Sequence, residues 1–74
     1  MTSTAGQGTH FWFMTIQTPN EYGYNVTDYQ GTITPSRGKT RLDMYNQIRA
    51  EVWEKYPRSN GGVTLAFDIQ PNRL

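Results

Sequence analysis

The feature that most constrains the fold is a strand-like segment at residues 10–18 with large apolar side chains on both faces. Aromatic and β-branched residues dominate it, which is typical of a strand. Because successive side chains of a strand point to opposite faces, Trp12 and Met14 share one face with Ile16, and Phe11 and Phe13 share the other. A strand with this composition is best buried in the centre of a sheet, so we expect a neighbouring strand on each side.

A second, more polar strand is predicted at residues 24–34. Tyr29 stands at an odd-numbered position of this strand, whereas Tyr24 and Val26 stand at even-numbered positions, which point to the opposite face. A regular strand cannot send both sets to the same face. A bulge near Asp28 would reconcile them, and a polar, bulged strand suits the edge of a sheet.

A single helix is predicted to begin after Thr40, a good N-cap residue whose partner in a capping box is Asp43. Pro57 ends the helix at Tyr56, because proline disfavours helical geometry in the residue before it. Steps of about 100° per residue collect one apolar stripe. The stripe comprises Leu42, Tyr45, Ile48, Val52, Trp53 and Tyr56.

A third strand is predicted at residues 63–69, where apolar and polar residues alternate. Such alternation is typical of an antiparallel sheet with one covered face. The apolar set comprises Val63, Leu65, Phe67 and Ile69.

These elements predict an α+β fold of ββαβ order, with a three-stranded antiparallel sheet in the order 2-1-3 packed on one helix. The alternative order is 1-2-3, with strands two and three parallel through a right-handed crossover. The predicted core comprises Trp12, Met14, Ile16, Ile33, Leu42, Ile48, Val52, Leu65 and Phe67.

The chain has 74 residues, which suits a single domain. We expect residues 1–9 to form a flexible tail and residues 10–74 to form one α+β domain. The chain has no cysteine that could form a disulfide. Small domains without disulfides often gain stability by forming oligomers, so a homodimer is expected. The absence of cysteine and of a hydrophobic leader fits a cytoplasmic location. The longest apolar run is far too short to span a membrane, so no membrane partner is expected.

The sequence offers little support for an enzyme. His10 is the only histidine, and it has no evident acid–base partner, so we interpret it as an ordinary strand-end residue. The carboxylates show no metal-ligand spacing, and we expect no metal and no cofactor. The stretch before the helix resembles a phosphate-binding loop, but that motif needs a glycine where Ile33 stands.

Three basic residues, Arg37, Lys39 and Arg41, cluster where the helix begins. They form a candidate anion or phosphate site, because a helix N-terminus attracts anions. Arg49 interrupts the apolar stripe of the helix. Its long side chain either snorkels past the sheet edge, reaches a partner, or pairs with Asp28 or Asp68.

The unusual feature is the second face of the first strand. If Trp12 faces the helix, Phe11 and Phe13 face away from it, and one helix cannot cover both sides of a sheet. Contiguous exposed aromatic surface usually marks an interface. We therefore predict partner binding by Phe11, Phe13, Tyr24 and Tyr29, in a non-enzymatic protein that self-associates or docks on another protein. The alternative is single-stranded nucleic-acid binding by the aromatic face and the basic loop, although a net charge of +1 counts against it.

Two stretches, residues 38–48 and 65–74, resemble short proteins of actinobacteria and of their mobile elements and phages. Those proteins also carry an aromatic strand near the N-terminus, so the resemblance extends over residues 11–74. No activity is attached to that group, and the resemblance therefore implies no functional role for any residue of this chain.

Overall fold

The computed structural model describes residues 6–74 and has the predicted ββαβ order. Its three strands form one antiparallel sheet in the order β2-β1-β3, which confirms the central position of the first strand and makes the parallel alternative wrong. The elements are β1 (His10–Asn20), β2 (Gly23–Ile33), α1 (Arg41–Lys55), a 3-10 helix (Pro57–Ser59) and β3 (Val63–Pro71).

The hairpin of β1 and β2 is regular along its whole length. The strands pair without a register shift from His10 opposite Ile33 to Asn20 opposite Gly23. Gly23 closes the turn with a φ of +136°, a conformation that favours glycine. The predicted bulge in β2 is therefore wrong. The two parities of β2 simply occupy the two faces of the sheet.

The irregularity lies in β3 instead. The partners of Thr15 and Ile16 are Ala66 and Thr64, so Leu65 is an extra residue in β3. A bulge of this kind changes which residues reach each face. As a result Val63 and Leu65 are exposed, and the prediction that they face the helix with Phe67 and Ile69 is wrong.

The helix begins as the sequence predicts. Thr40 and Asp43 form a complete capping box, with Thr40 N–H donating to Asp43 Oδ2 at 3.0 Å and Asp43 N–H donating to Thr40 Oγ1 at 3.1 Å. The hydrogen bonds from the backbone and then the side chain of Thr40 lower the pKa of the Asp43 carboxyl. The nearby Lys39 charge adds to this effect.

The core lies between α1 and the helix-facing side of the sheet. Leu42 is exposed, contrary to prediction, and Met44 is buried in its place. The two residues are about 200° apart around the helix axis, so only one of them can face the sheet. The buried apolar residues are Trp12, Met14, Ile16, Met44, Ile48 and Val52.

The helix packs on the buried side chains of β1 and also contacts both neighbouring strands. Tyr45 donates to Thr64 Oγ1 at 2.9 Å and meets the Phe67 ring edge-on at 5.2 Å. On the other side, Tyr56 stacks on Tyr29 of β2 with ring centroids 4.9 Å apart. The helix therefore crosses the sheet so that its C-terminal end reaches β2.

The hydrogen bonding of the sheet begins before His10, within the segment that the sequence predicts as a tail. Gly8 N–H donates to Thr32 Oγ1 at 2.9 Å, and Thr9 N–H donates to Thr34 Oγ1 at 3.2 Å. Asn72 N–H donates to the Thr9 carbonyl at 2.8 Å. The remainder of the predicted tail, residues 1–5, lies outside the described residues.

Candidate functional site

The outer face, defined here as the side of the sheet opposite α1, carries the two phenylalanines. Phe11 and Phe13 are neighbours on this face of β1, and they are 38% and 37% exposed. The alternation of β1 places them there, because Trp12 and Met14 are buried against the helix. Within the described residues, no second layer of structure covers this face.

Polar side chains flank the two rings. Phe11 lies opposite Thr32 and Gln70, and Phe13 lies opposite Gln30 and Asp68. In the next row, Thr15 Oγ1 donates to Asp28 Oδ1 at 2.7 Å. The rings therefore form an aromatic strip along the centre of the outer face, bordered by hydrogen-bonding groups.

A second apolar area lies at the hairpin end of the outer face. Val26 and Val63 stand on either side of Gln17, and Tyr24 follows next to Pro19. Sequence reasoning placed Val63 on the apolar face of the third strand with Leu65 and Phe67, and proposed a bulge near Asp28 to bring Val26 and Tyr29 to one face. The missing information was the position of the bulge, which changes the face of every residue beyond it.

Tyr29 is not part of the outer face. It pairs with Met14, whose side chain is fully buried, and it packs against the core. The parity of a regular β2 puts it there, together with its stacking partner Tyr56. Of the four residues predicted to bind a partner, Phe11, Phe13 and Tyr24 share the outer face.

The three predicted anion-binding residues are not equivalent. Arg41 Nη2 lies 2.7 Å from Asp68 Oδ1, so its charge is balanced by a carboxylate at the β3 edge of the outer face. Arg37 and Lys39 are exposed and have no ion pair among residues 6–74. The backbone at the start of the helix is already capped by Thr40 and Asp43.

Arg49 pairs with neither Asp28 nor Asp68, so that interpretation is wrong. Its guanidinium carbon lies 4.5 Å from the centre of the Trp53 ring. Its terminal nitrogens make long hydrogen bonds of 3.4 Å to Tyr45 Oη and to the Gly62 carbonyl. Arg49 therefore fills the seam between the helix and the start of β3.

Among the described residues, 6–74, His10 has no acidic partner. Its Nδ1 lies 2.9 Å from the hydroxyl of Thr9. The shallow cavity beside it, of about 230 Å³, is lined by basic, apolar and hydroxyl side chains such as Lys39, Met44 and Thr40. Over residues 6–74, no three side chains of the metal-ligating types are grouped to hold an ion.

Comparison with known protein families, curated proteins and solved structures finds no match to this chain. The resemblance to actinobacterial and phage proteins therefore stays a prediction. No helix in the described part of the chain is long and apolar enough to cross a membrane. The outer face and its chemistry are the basis for a functional proposal.

Proposed function

We propose that this chain is a non-enzymatic interaction protein that forms a homodimer through its outer face. The observation that carries the proposal is the pair of neighbouring rings, Phe11 and Phe13, each more than one third exposed on the central strand. Contiguous apolar surface of this kind is usually covered by a partner. A second copy is the partner that suits the size and charge of this face.

The size of the outer face supports self-association. β1 has 11 residues, and a strand rises about 3.3 Å per residue, which gives a length of roughly 36 Å. Three strands about 4.8 Å apart give a width of roughly 14 Å. Each copy would bury on the order of 500 Å², and the pair about 1,000 Å², at the lower limit for a specific interface.

The charges on the outer face also support self-association. Asp68 is balanced by Arg41, and Asp28 accepts the Thr15 hydroxyl hydrogen bond. The salt bridge balances one of these two carboxylates, so like-charge repulsion between two copies arises mainly from Asp28. The same carboxylates stand beside the rings where a nucleic acid would place its phosphates, which favours a protein partner over single-stranded nucleic acid.

The burial of the rings sets the size of the expected effect. A phenylalanine side chain has about 200 Å² of surface, so the exposed parts of four rings in a dimer amount to roughly 300 Å². At about 25 cal/mol per Å² this is an upper limit of about 7.5 kcal/mol. The costs of association leave roughly one third of that limit as net binding energy. Removing the rings should therefore weaken the dimer roughly 70-fold.

The test compares wild type with Phe11→Ser/Phe13→Ser by sedimentation equilibrium. Wild type is expected to approach about 17 kDa, twice its monomer mass of 8.5 kDa, and the variant to stay monomeric. Tyr22→Ser is the matched control, because this tyrosine is 92% exposed at the hairpin tip and off the outer face.

Because both rings are partly buried, Val63→Asp is a second variant that leaves them intact. It places a charge on the outer face at a side chain that is 62% exposed. Both variants should be monomeric and keep the wild-type circular dichroism. A monomeric wild type, or a folded Phe11→Ser/Phe13→Ser protein that still dimerises, overturns the proposal.

The nucleic-acid alternative predicts a different outcome. A single-stranded oligonucleotide would then bind at low salt, with affinity falling steeply as salt increases, and Arg37 and Lys39 would be required. Absence of a mobility shift at low salt eliminates that function.

A further inference from the structure

A groove lies beside β2, on the side of the sheet that the helix covers. Its larger part, about 660 Å³, lies between β2 and the end of α1 with the following 3-10 helix. A smaller part, about 240 Å³, continues over Gly31 towards Glu51. Tyr29 and Tyr56 line both parts, and the two parts together are here called the edge groove.

The edge groove arises from the way the helix crosses the sheet. Tyr45 of α1 contacts Thr64 of β3, whereas Tyr56, just after the helix, contacts Tyr29 of β2. Gly31 lets the Trp12 ring lie close against β2, because a Cβ there would lie 3.1 Å from that ring. The edge groove therefore extends along β2 on both sides of the Tyr29–Tyr56 contact.

One wall of the edge groove is an unpaired strand edge. Among residues 6–74, β2 pairs with β1 alone, so within this range alternate backbone N–H and C=O groups along its other side lack a strand partner. Such an edge is a template for an added strand. An extended peptide lying between an edge strand and a helix gains main-chain hydrogen bonds, and pockets for alternate side chains give specificity.

The floor and the rim of the edge groove define the chemistry of the peptide. Tyr29 and Tyr56 form a tilted aromatic pair that suits an aliphatic or aromatic side chain. Lys55 and Arg58 line the same end, and neither has an ion pair within the described residues. Asp28 is the acidic residue at this end, so two basic side chains face one carboxylate there. The basic pair therefore favours a carboxylate on the peptide.

We propose that the edge groove binds an extended segment of a partner protein, which adds as a fourth strand beside β2. An apolar side chain of that segment rests on Tyr29 and Tyr56, and an acidic residue follows at Lys55 and Arg58. This site lies beside β2 and not over Phe11 and Phe13, although Asp28 and Gln30 border both surfaces.

The probe is an eight-residue capped peptide of alternating valine and tyrosine that ends in two glutamates. Titration into ¹⁵N-labelled protein should shift the amide signals of β2 and of residues 52–58. It should also slow hydrogen exchange along β2. Two control peptides isolate the two parts of the proposal: one ends in two lysines, and the other carries N-methyl groups on alternate amides. Both should bind at least ten-fold more weakly. The lysine peptide loses charge complementarity, and the N-methylated peptide loses main-chain hydrogen bonds to β2.

The matched protein variants are Lys55→Glu/Arg58→Glu and Lys39→Glu, all at exposed positions. Reversing both charges at the groove should weaken the glutamate peptide roughly ten-fold and improve the lysine peptide. Lys39→Glu, at the other end of the helix, should change neither. Equal binding of the glutamate, lysine and N-methylated peptides overturns the proposal, as does an absence of shifts in β2.

The two proposals fail independently. Phe11→Ser/Phe13→Ser should lose the dimer and still bind the peptide, and Lys55→Glu/Arg58→Glu should keep the dimer. If instead the peptide dissociates the wild-type dimer and shifts appear only at the groove, the second copy occupies the β2 edge. That result overturns both the edge-groove partner proposed here and the outer-face dimer.

Discussion

Gly62, just before β3, is a position where a single added methyl group should perturb the packing of this fold. The residue is buried, and a Cβ added there would lie 2.4 Å from Ile16 Cγ2 and 2.8 Å from Thr18 Cγ2. Ile16 is 1% exposed, so it has no free space to move into. Gly62 also donates to the Ser59 carbonyl at 3.0 Å, which ties the loop to the 3-10 helix.

Gly62→Ala should therefore destabilise the protein through steric overlap. Overpacking of a well-packed site costs about 1–3 kcal/mol, and two short contacts with branched side chains favour the upper half of that range. For a domain of this size, a loss of about 2 kcal/mol lowers the melting temperature by roughly 8–16 °C. Thermal and urea unfolding, followed by circular dichroism, measure the effect.

A double-mutant cycle tests the assigned cause. Ile16→Leu removes the methyl group nearest the added Cβ, and it alone should cost less than about 1.5 kcal/mol. In the Gly62→Ala background its cost should fall, with a coupling energy of about 1 kcal/mol. A Gly62→Ala cost below about 0.5 kcal/mol, or strict additivity of the two changes, would refute the close approach of Gly62 to Ile16.

Two further substitutions test the helix and its C-terminal connection. The hydrogen bonds from Thr40 lower the pKa of Asp43, so the folded protein favours the charged carboxylate. The stability that ionised Asp43 adds to the fold is therefore present at neutral pH, and it is lost as the pH falls below the ordinary pKa of 3.8. Asp43→Asn should therefore be less stable than wild type at pH 7, and melting experiments should show that the difference shrinks below pH 3.8. A difference that does not change with pH contradicts an origin in the Asp43 charge. Ser59 is fully buried and donates to the Tyr56 carbonyl at 2.8 Å, so Ser59→Ala should cost about 1 kcal/mol in urea unfolding. The exposed Ser36→Ala should cost nothing, and an equal loss in both variants argues against a role for the Ser59 hydrogen bond.

The elements that sequence reasoning predicted correctly have strong local signals. Trp12, Met14 and Ile16 alternate with the outward rings over several residues, which fixes the faces of β1 and its central position. Thr40 and Asp43 mark the start of the helix through their own side-chain hydrogen bonds. These features depend on neighbours in sequence, and they need no knowledge of the tertiary contacts.

The features that sequence reasoning missed depend on contacts between elements. The bulge in β3 is set by its pairing with β1, and it moves Val63 and Leu65 out of the core. The rotation of α1 about its axis selects Met44 over Leu42, and both are apolar, so composition alone gives no preference. The edge groove likewise depends on where the helix crosses the sheet, which no local pattern encodes.

The most direct test of the central claim is an isotope-filtered NOE experiment on an equal mixture of ¹³C-labelled and unlabelled protein. It detects only contacts between different copies. If the dimer forms through the outer face, intermolecular NOEs should involve the rings of Phe11 and Phe13, together with the methyl groups of Val26 and Val63. Intermolecular NOEs confined to α1 or to the β2 edge, or none under conditions where sedimentation shows a dimer, would contradict the account.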